Sequence, residues 1–193
     1  MKDYLLIEKI ILGDTNAFSI LINRYKNQAY NIAFRILNNR EDAEESASDA
    51  FLKVYHNLKD FDKNSSFSTW LYSIVYNNSI SIRRKKKDTL DLMDNIKLDD
   101  ENLGEFEISE DIADSFEDNL TIEKEKSNQL EKLKLAILKL KELEQVIITL
   151  YYIEDKSTDE IANITGKSVS NVKIILFRAR KVLYNLMKED KLV

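Results

Sequence analysis

The sequence predicts an all-α chain of two small helical domains joined by a flexible acidic linker, and three observations carry that prediction. Proline is absent and only 3 of 193 residues are glycine, which leaves little turn chemistry for a sandwich, a barrel or a hairpin-rich fold. Apolar residues recur at helical spacing on both sides of a long acidic stretch. Charge then divides the chain into unlike blocks. Residues 1–87 hold 14 Lys/Arg against 10 Asp/Glu, residues 88–132 hold 4 against 16, and residues 133–193 hold 11 against 8. The whole-chain net charge of −5 argues against a nucleic-acid binder only until it is read by segment. Its acidity belongs to the middle, and both ends are mildly basic.

Composition also excludes several classes of function. The chain has no cysteine, so it carries no disulfide framework and no thiolate nucleophile or metal site, which fits a reducing compartment. His56 is the one histidine; an imidazole pair or a histidine metal cluster is excluded by counting. It falls among exposed positions near a helix end and reads as a surface residue. The sequence offers no catalytic constellation and implies no cofactor. At the N-terminus, Leu5, Leu6, Ile7, Ile10, Ile11 and Leu12 are interrupted by Glu8 and Lys9, so no secretory segment is formed. Between Lys63 and Arg83 lie 19 uncharged residues, but 10 of them are Asn, Ser or Thr, too many polar groups for hydrocarbon. The expectation is a soluble, cytoplasmic chain without membrane insertion.

The first block opens with an amphipathic helical pattern and continues from Asn16 to Leu37, where Phe18, Leu21, Ile22, Tyr25, Ala29, Ile32, Ala33 and Ile36 keep a 3.6-residue period. Asn38-Asn39 breaks it. Acidic residues Glu41, Asp42, Glu44 and Glu45 then load the first turn of the next helix, as the macrodipole prefers. Its apolar stripe is Ala43, Ala47, Ala50, Phe51, Val54 and Leu58, and the opposite face carries Asp42, Glu45, Ser46, Asp49 and Lys53. A polar loop, Asn64-Ser65-Ser66, leads into Phe67-Ser68-Thr69-Trp70-Leu71-Tyr72 and a helix ending at Arg83-Arg84-Lys85-Lys86-Lys87. Rings that stack on bases, amides and hydroxyls that read their edges, and cations that hold phosphates are the chemistry of single-strand binding. Taken singly, Trp70 and Phe67 also fit a core; the combination carries the reading.

The connector from Asp88 has scattered apolar residues without a sustained stripe, and its low hydrophobicity and like charge predict flexibility. As a coil, the 45 residues of that block would span roughly 35–40 Å. It reads as a solvated tether or, more sharply, as an acidic mimic of nucleic acid; its residues alone favour the tether.

The third block carries the strongest signal. Ser157-Thr158-Asp159-Glu160 is a capping box that starts a short helix containing Ile161-Ala162. Gly166 stands where a helix-turn-helix needs a left-handed turn, Ala162 where the helices cross, and Val172 and Ile175 where the second helix docks. Ser168 caps that second helix, which runs through Val169, Ser170, Asn171, Lys173, Arg178 and Arg180, while Leu138, Leu140, Leu143, Val146, Ile147, Leu150 and Tyr151 supply helical support upstream. A two-helix hairpin with no DNA role is the bland alternative.

In these residues the chain resembles the sigma-70 family of bacterial transcription initiation factors, specifically the small extracytoplasmic-function (ECF) type. The resemblance rests on Asp42-Ala43-Glu44-Glu45 with Phe51-Leu52; on Phe67, Thr69-Trp70-Leu71, Ile74, Asn77 and Arg83-Arg84; and on Glu160-Ile161-Ala162, Gly166, Ser168, Val172-Lys173 and Arg178-Ala179-Arg180. It implies a region 2-like domain over 1–87, an acidic linker over 88–132 and a region 4-like helix-turn-helix domain over 133–193. Asp42, Glu45, Ser48, Asp49 and Lys53 would dock on the β′ clamp helices of core RNA polymerase. Asn64, Ser65, Phe67, Trp70, Asn77, Arg83 and Arg84 would melt and read the −10 element. Ser168, Ser170, Asn171, Lys173, Arg178 and Arg180 would read the −35 duplex, with the helix-turn-helix also touching the β flap. The linker would thread toward the polymerase cleft. The partners so implied are core polymerase, promoter DNA and an anti-sigma factor, with the free chain a monomer.

Four positions depart from the family pattern. Ser48 stands where the family has glutamine, Ser170-Asn171 where it often has Gly-Thr, and Ile175 where it often has arginine. Promoter sequence therefore does not carry over from relatives. The alternatives are a stand-alone helix-turn-helix regulator, or a sigma-like competitor that docks on polymerase without initiating.

Overall fold

The computed structural model describes residues 2–93 and 132–189, and all regular structure among them is helical. Most of the acidic connector, residues 94–131, lies outside the described residues, and the expectation of a flexible tether falls there. The first group comprises α1 (Asp3–Ile11), α2 (Thr15–Leu37), α3 (Arg40–Asn57), a short 3-10 turn (Leu58–Asp60) and α4 (Phe67–Met93). The second comprises α5 (132–138), α6 (Glu142–Tyr152), α7 (Thr158–Thr165) and α8 (Val169–Glu189).

The boundaries follow from local chemistry. Asp14 caps α2 by accepting from the backbone N–H groups of Asn16 and Ala17 at 3.0 and 3.2 Å, satisfying donors that a helix start leaves unpaired. Asn38 ends α2 in a left-handed conformation (φ 47°), and Asn39 then caps α3 by accepting from the Asp42 N–H at 3.0 Å. The Asn38-Asn39 pair thus supplies a stop and a start in successive residues. Ser66 performs the N-cap role for α4, its Oγ accepting from the Thr69 N–H at 3.2 Å. α4 continues past Lys87 to Met93, beyond the expected end of the first block, through the helix-favouring residues Leu90, Leu92 and Met93.

A break in the second group has no glycine or proline behind it. α5 and α6 are separated at residues 139–141, and the Gln145 amide closes the gap by donating to the carbonyls of Leu138 (3.2 Å) and Leu140 (2.9 Å). Glu144 completes the start of α6 by accepting from the Lys141 N–H at 3.1 Å.

Within the first group α2, α3 and α4 pack on one another. The predicted α3 stripe of Ala43, Ala47, Ala50, Phe51, Val54 and Leu58 is buried throughout. Ser46, expected on the face opposite the apolar stripe, is instead fully buried in a polar seam between α3 and α4: Ser46 Oγ and Ser79 Oγ lie 2.9 Å apart, Asn78 Nδ2 donates to the Ser46 carbonyl at 3.3 Å, and Lys53 Nζ donates to Asn78 Oδ1. The second group does not stand apart. α7 packs on α4 and α6 on α2, and both groups contribute to one apolar cluster that runs from Leu6 to Ala179.

Candidate nucleic-acid interface

The helix-turn-helix is built as its residue pattern demands. Ser157 Oγ accepts from the Glu160 N–H at 3.2 Å while Glu160 Oε2 accepts from the Ser157 N–H at 3.0 Å, the reciprocal pair of a capping box. Gly166 takes φ +66°, a left-handed conformation natural to glycine, and Ser168 Oγ accepts from the Asn171 N–H at 3.2 Å to start α8. Val172, Leu176 and Ala179 turn inward. Ser168, Ser170, Asn171, Lys173, Arg178 and Arg180 are exposed, so the outer face of α8 presents donors and cations to solvent. Arg180 is set apart from the rest, since its guanidinium lies 5.3 and 5.5 Å from the ring centroids of Tyr151 and Tyr152. That cation–π seat ties α8 back to α6. Tyr151 was expected only as helical support and Tyr152 not at all, although the Tyr-Tyr spelling at the end of α6 is visible in the sequence.

The aromatic corner at the start of α4 is more closed. Phe67 is only 4% exposed and sits among Tyr25, Phe61 and Trp70, with centroids 5.4, 6.1 and 6.1 Å away. In this form it is a core ring. Trp70 is half-buried and lies against Phe61 at 5.0 Å. The Asn64 amide turns back on Asp62, donating at 2.7 Å, and Ser65 is half-buried. Asn77, Arg83 and Arg84 are exposed along α4.

On α3, Glu45, Ser48 and Asp49 stand in solvent. Asp42 pairs with Lys86 of α4, and Lys53 is drawn into the α3–α4 seam by Asn78. Of the apolar residues beside this strip, the sequence marks Leu52 only as part of the family pattern and Tyr55 not at all. Leu52 is 57% and Tyr55 43% exposed, with Tyr55 against Phe18 at 4.9 Å. Their positions directly after the buried Phe51 and Val54 are the signal that locates them.

A second set of polar contacts crosses from α7 and the turn before it to the aromatic corner. Glu160 Oε1 accepts from Thr69 Oγ1 at 2.6 Å, Lys156 Nζ donates to Ser68 Oγ at 2.6 Å and to Ser66 Oγ at 3.3 Å, and Tyr72 OH donates to Glu154 Oε2 at 2.6 Å. Arg83 forms an ion pair with Glu142. Burial alone would raise the Glu160 carboxyl, but hydrogen bonds from Thr69 and Ser157, with the Lys156 charge, outweigh it and hold the group down at about 2. Burial, then the bond to Glu154, pushes the Tyr72 hydroxyl far above its ordinary range.

An exposed helix-turn-helix joined to an acid-faced helix and an aromatic, hydroxyl-rich corner is the architecture of a DNA-binding protein. Comparison with known proteins narrows that class. Residues 21–89 match the family model for sigma-70 region 2, and residues 130–183 match that for sigma-70 region 4. The chain is 34% identical to the ECF RNA polymerase sigma factor SigW of Bacillus subtilis, over 95% of each chain. It is 30% identical to the ECF RNA polymerase sigma-E factor of Haemophilus influenzae, over 96% of this chain and 95% of that one. In fold it is similar to the sigma factor RpoE solved with the anti-sigma factor NepR from Bartonella quintana (TM-score 0.64, 20% identity, covering 89% of this chain and 96% of that one). It is also similar in fold to CnrH solved with the cytosolic domain of CnrY (TM-score 0.60, 23% identity, 97% and 98% covered). The chain belongs to the ECF branch of the sigma-70 family and is a promoter-recognising transcription initiation factor. Among the described residues, no helix is long and apolar enough to cross a membrane.

Proposed function

We propose that this chain directs core RNA polymerase to promoters through three separately presented surfaces. The exposed acidic strip of α3, Glu45, Ser48 and Asp49 with Asp42 and Lys53 at its margin, docks on the β′ clamp helices. Leu52 and Tyr55 add an apolar contact beside it. Asn64, Ser65, Phe67, Trp70, Asn77, Arg83 and Arg84 melt and hold the −10 element. Ser168, Ser170, Asn171, Lys173, Arg178 and Arg180 meet the −35 duplex, and the same helix-turn-helix reaches the β flap. Residues 1–87, 88–132 and 133–193 are then the polymerase-docking and strand-reading domain, the acidic linker and the duplex-reading domain. The chain makes and breaks no bond, works in the bacterial cytoplasm, and is a monomer when free. An anti-sigma factor is a fitting antagonist, since a protein of similar fold was solved with such a partner.

The observation that carries this reading is the outer face of α8, which displays Ser170, Asn171, Lys173 and Arg178 on a helix docked through Val172 and Leu176. Its block is only mildly basic, and duplex affinity scales with phosphates neutralised. The free chain therefore binds promoter DNA weakly, and polymerase supplies the fixed spacing that a tether cannot. Run-off transcription with purified core polymerase tests the proposal: promoter-dependent transcripts are expected only when the chain is added. Nanomolar promoter binding by the isolated chain at physiological salt, with a symmetric footprint, would make it a stand-alone regulator. Polymerase binding without transcripts would make it a competitor.

A further inference from the structure

The outer face of α8 holds two side chains that an inventory of donors and cations leaves out. Ile174 is 49% and Phe177 68% exposed, and neither belongs to the apolar cluster that α8 joins through Val172, Leu176 and Ala179. At 100° per residue, Ile174 lies within about 40° of the point opposite each of those three anchors. Ser170 and Arg178 flank it one turn away on either side, and Asn171 and Phe177 complete its neighbours on the helix surface. Ile174 therefore stands at the centre of the face that carries Ser170, Asn171 and Arg178. A lone exposed aliphatic side chain asks for no explanation. This one is ringed by residues proposed to read base edges.

We propose that Ile174 is a thymine reader, its side chain packing on the C5-methyl of one thymine in the −35 duplex. The inference rests on the role proposed above for α8 and adds the base that one residue selects. Isoleucine carries no side-chain donor or acceptor, and the thymine methyl is the one methyl that base-pair edges display in the major groove. Against any other edge Ile174 would take a donor or acceptor away from water and return no hydrogen bond, which is unfavourable. Against the methyl it removes apolar surface from water on both partners. A hydroxyl in the same place would bond to several edges, so a branched hydrocarbon narrows the choice of base. Phe177, which adjoins Ile174 on the helix surface, extends the apolar spot, and Ser170, Asn171 and Arg178 border it with groups that meet polar edges and phosphates.

The test uses the full chain assembled with core polymerase. Run-off transcription from promoters randomised over the −35 element should favour thymine at one position with the parent and lose that preference with Ile174→Ala. Replacing that thymine with deoxyuridine deletes the methyl and nothing else. At limiting holoenzyme the replacement should lower transcription by the parent roughly fourfold, about what one buried methyl is worth. With Ile174→Ala the thymine and deoxyuridine templates should be alike, and Ile174→Val, which keeps a branched hydrocarbon, should retain part of the difference. Thermal melts of Ile174→Ala should match the parent, because Ile174 lies outside the apolar cluster. Equal transcription of both templates by the parent, or a difference that survives Ile174→Ala, overturns the inference. A difference that survives Ile174→Ala and vanishes in Phe177→Ala assigns the methyl to the ring instead. If Asn171→Ala shifts preference at its own position while Ile174→Ala shifts none, α8 reads the duplex and the isoleucine's part alone falls. If no −35 position matters to any of these holoenzymes, the duplex-reading role falls with it.

Discussion

Two helices of this chain, α4 and α8, carry most of the residues proposed to touch DNA, and they are presented in opposite ways. α8 keeps Val172, Leu176 and Ala179 inside and leaves Asn171, Lys173 and Arg178 in solvent, so its duplex-facing surface is complete without a partner. α4 begins with Phe67 buried at 4% exposure and with Thr69 and Tyr72 already bonded to Glu160 and Glu154. The contrast suits the two substrates proposed for these helices. Duplex DNA offers a fixed groove that a rigid helix can meet as it stands, whereas an unpaired strand exists only after the duplex is opened. A surface for the second need not be displayed until then.

The most severe test of this contrast asks whether the two groups are energetically one body. Leu71 and Ile161, from opposite groups, are both fully buried in a shared apolar cluster. Leu71→Ala and Ile161→Ala should each cost about 2–5 kcal/mol, and in calorimetry each should lower one common transition. Two transitions, each answering to its own substitution, would divide the molecule.

Next in size is the division of labour within α8. Asn171→Ala or Lys173→Ala should change promoter preference by about 1–3 kcal/mol at one base position. Arg178→Ala should weaken binding evenly across promoters. Transcription of a promoter library by polymerase carrying each variant reads both outcomes, and an even loss in all three would remove base reading from α8.

The preformed state of the duplex reader depends on its turn. Gly166→Ala should cost about 1–2 kcal/mol, because no neighbouring atom lies within 4 Å of the added methyl and the left-handed backbone alone is penalised. Ser157→Ala should cost about 1 kcal/mol through the lost cap. Denaturant melts report both, and the capping loss should fall on α7 without altering which promoters are read.

The smallest expected effect is one of pH. Glu160 titrates at about 2 in the folded chain against an ordinary value of 4.5. A depressed carboxyl contributes stability above its unfolded value, and that stability is lost as pH falls from about 4.5 toward 2. Thermal melts near pH 5 and near pH 3 should therefore differ more in the parent than in Glu160→Gln. An equal drop in both would place the acid sensitivity elsewhere.

Elements held together by neighbours in sequence were legible from the sequence. The Asn38-Asn39 break, the Ser157–Glu160 box and the turn at Gly166 each bind residues within a few positions, and each stands where the pattern placed it. The α5–α6 break was not legible, since its stop is a glutamine amide reaching back to two carbonyls rather than a glycine or proline. The join between groups was hidden for a different reason. It is made by Ser68, Thr69, Glu154, Lys156 and Glu160, polar residues that look solvated one at a time, and its partners lie some 80 or more residues apart in sequence. Phe67 reads equally well as stacking ring or core ring until Tyr25 and Phe61 are seen around it.

The seam of Ser46, Ser79 and Asn78 has a mechanical consequence. Two helices packed through alanine and valine alone could roll or slip past each other by a fraction of a turn at small cost, because apolar contact has no direction. A hydroxyl pair at 2.9 Å and an amide on the Ser46 carbonyl do have direction, and a slip of one residue would leave buried donors facing methyl groups. The angle between α3 and α4 is therefore keyed. A load taken up on the acidic outer edge of α3 would therefore be passed to α4 with little slip between the two helices.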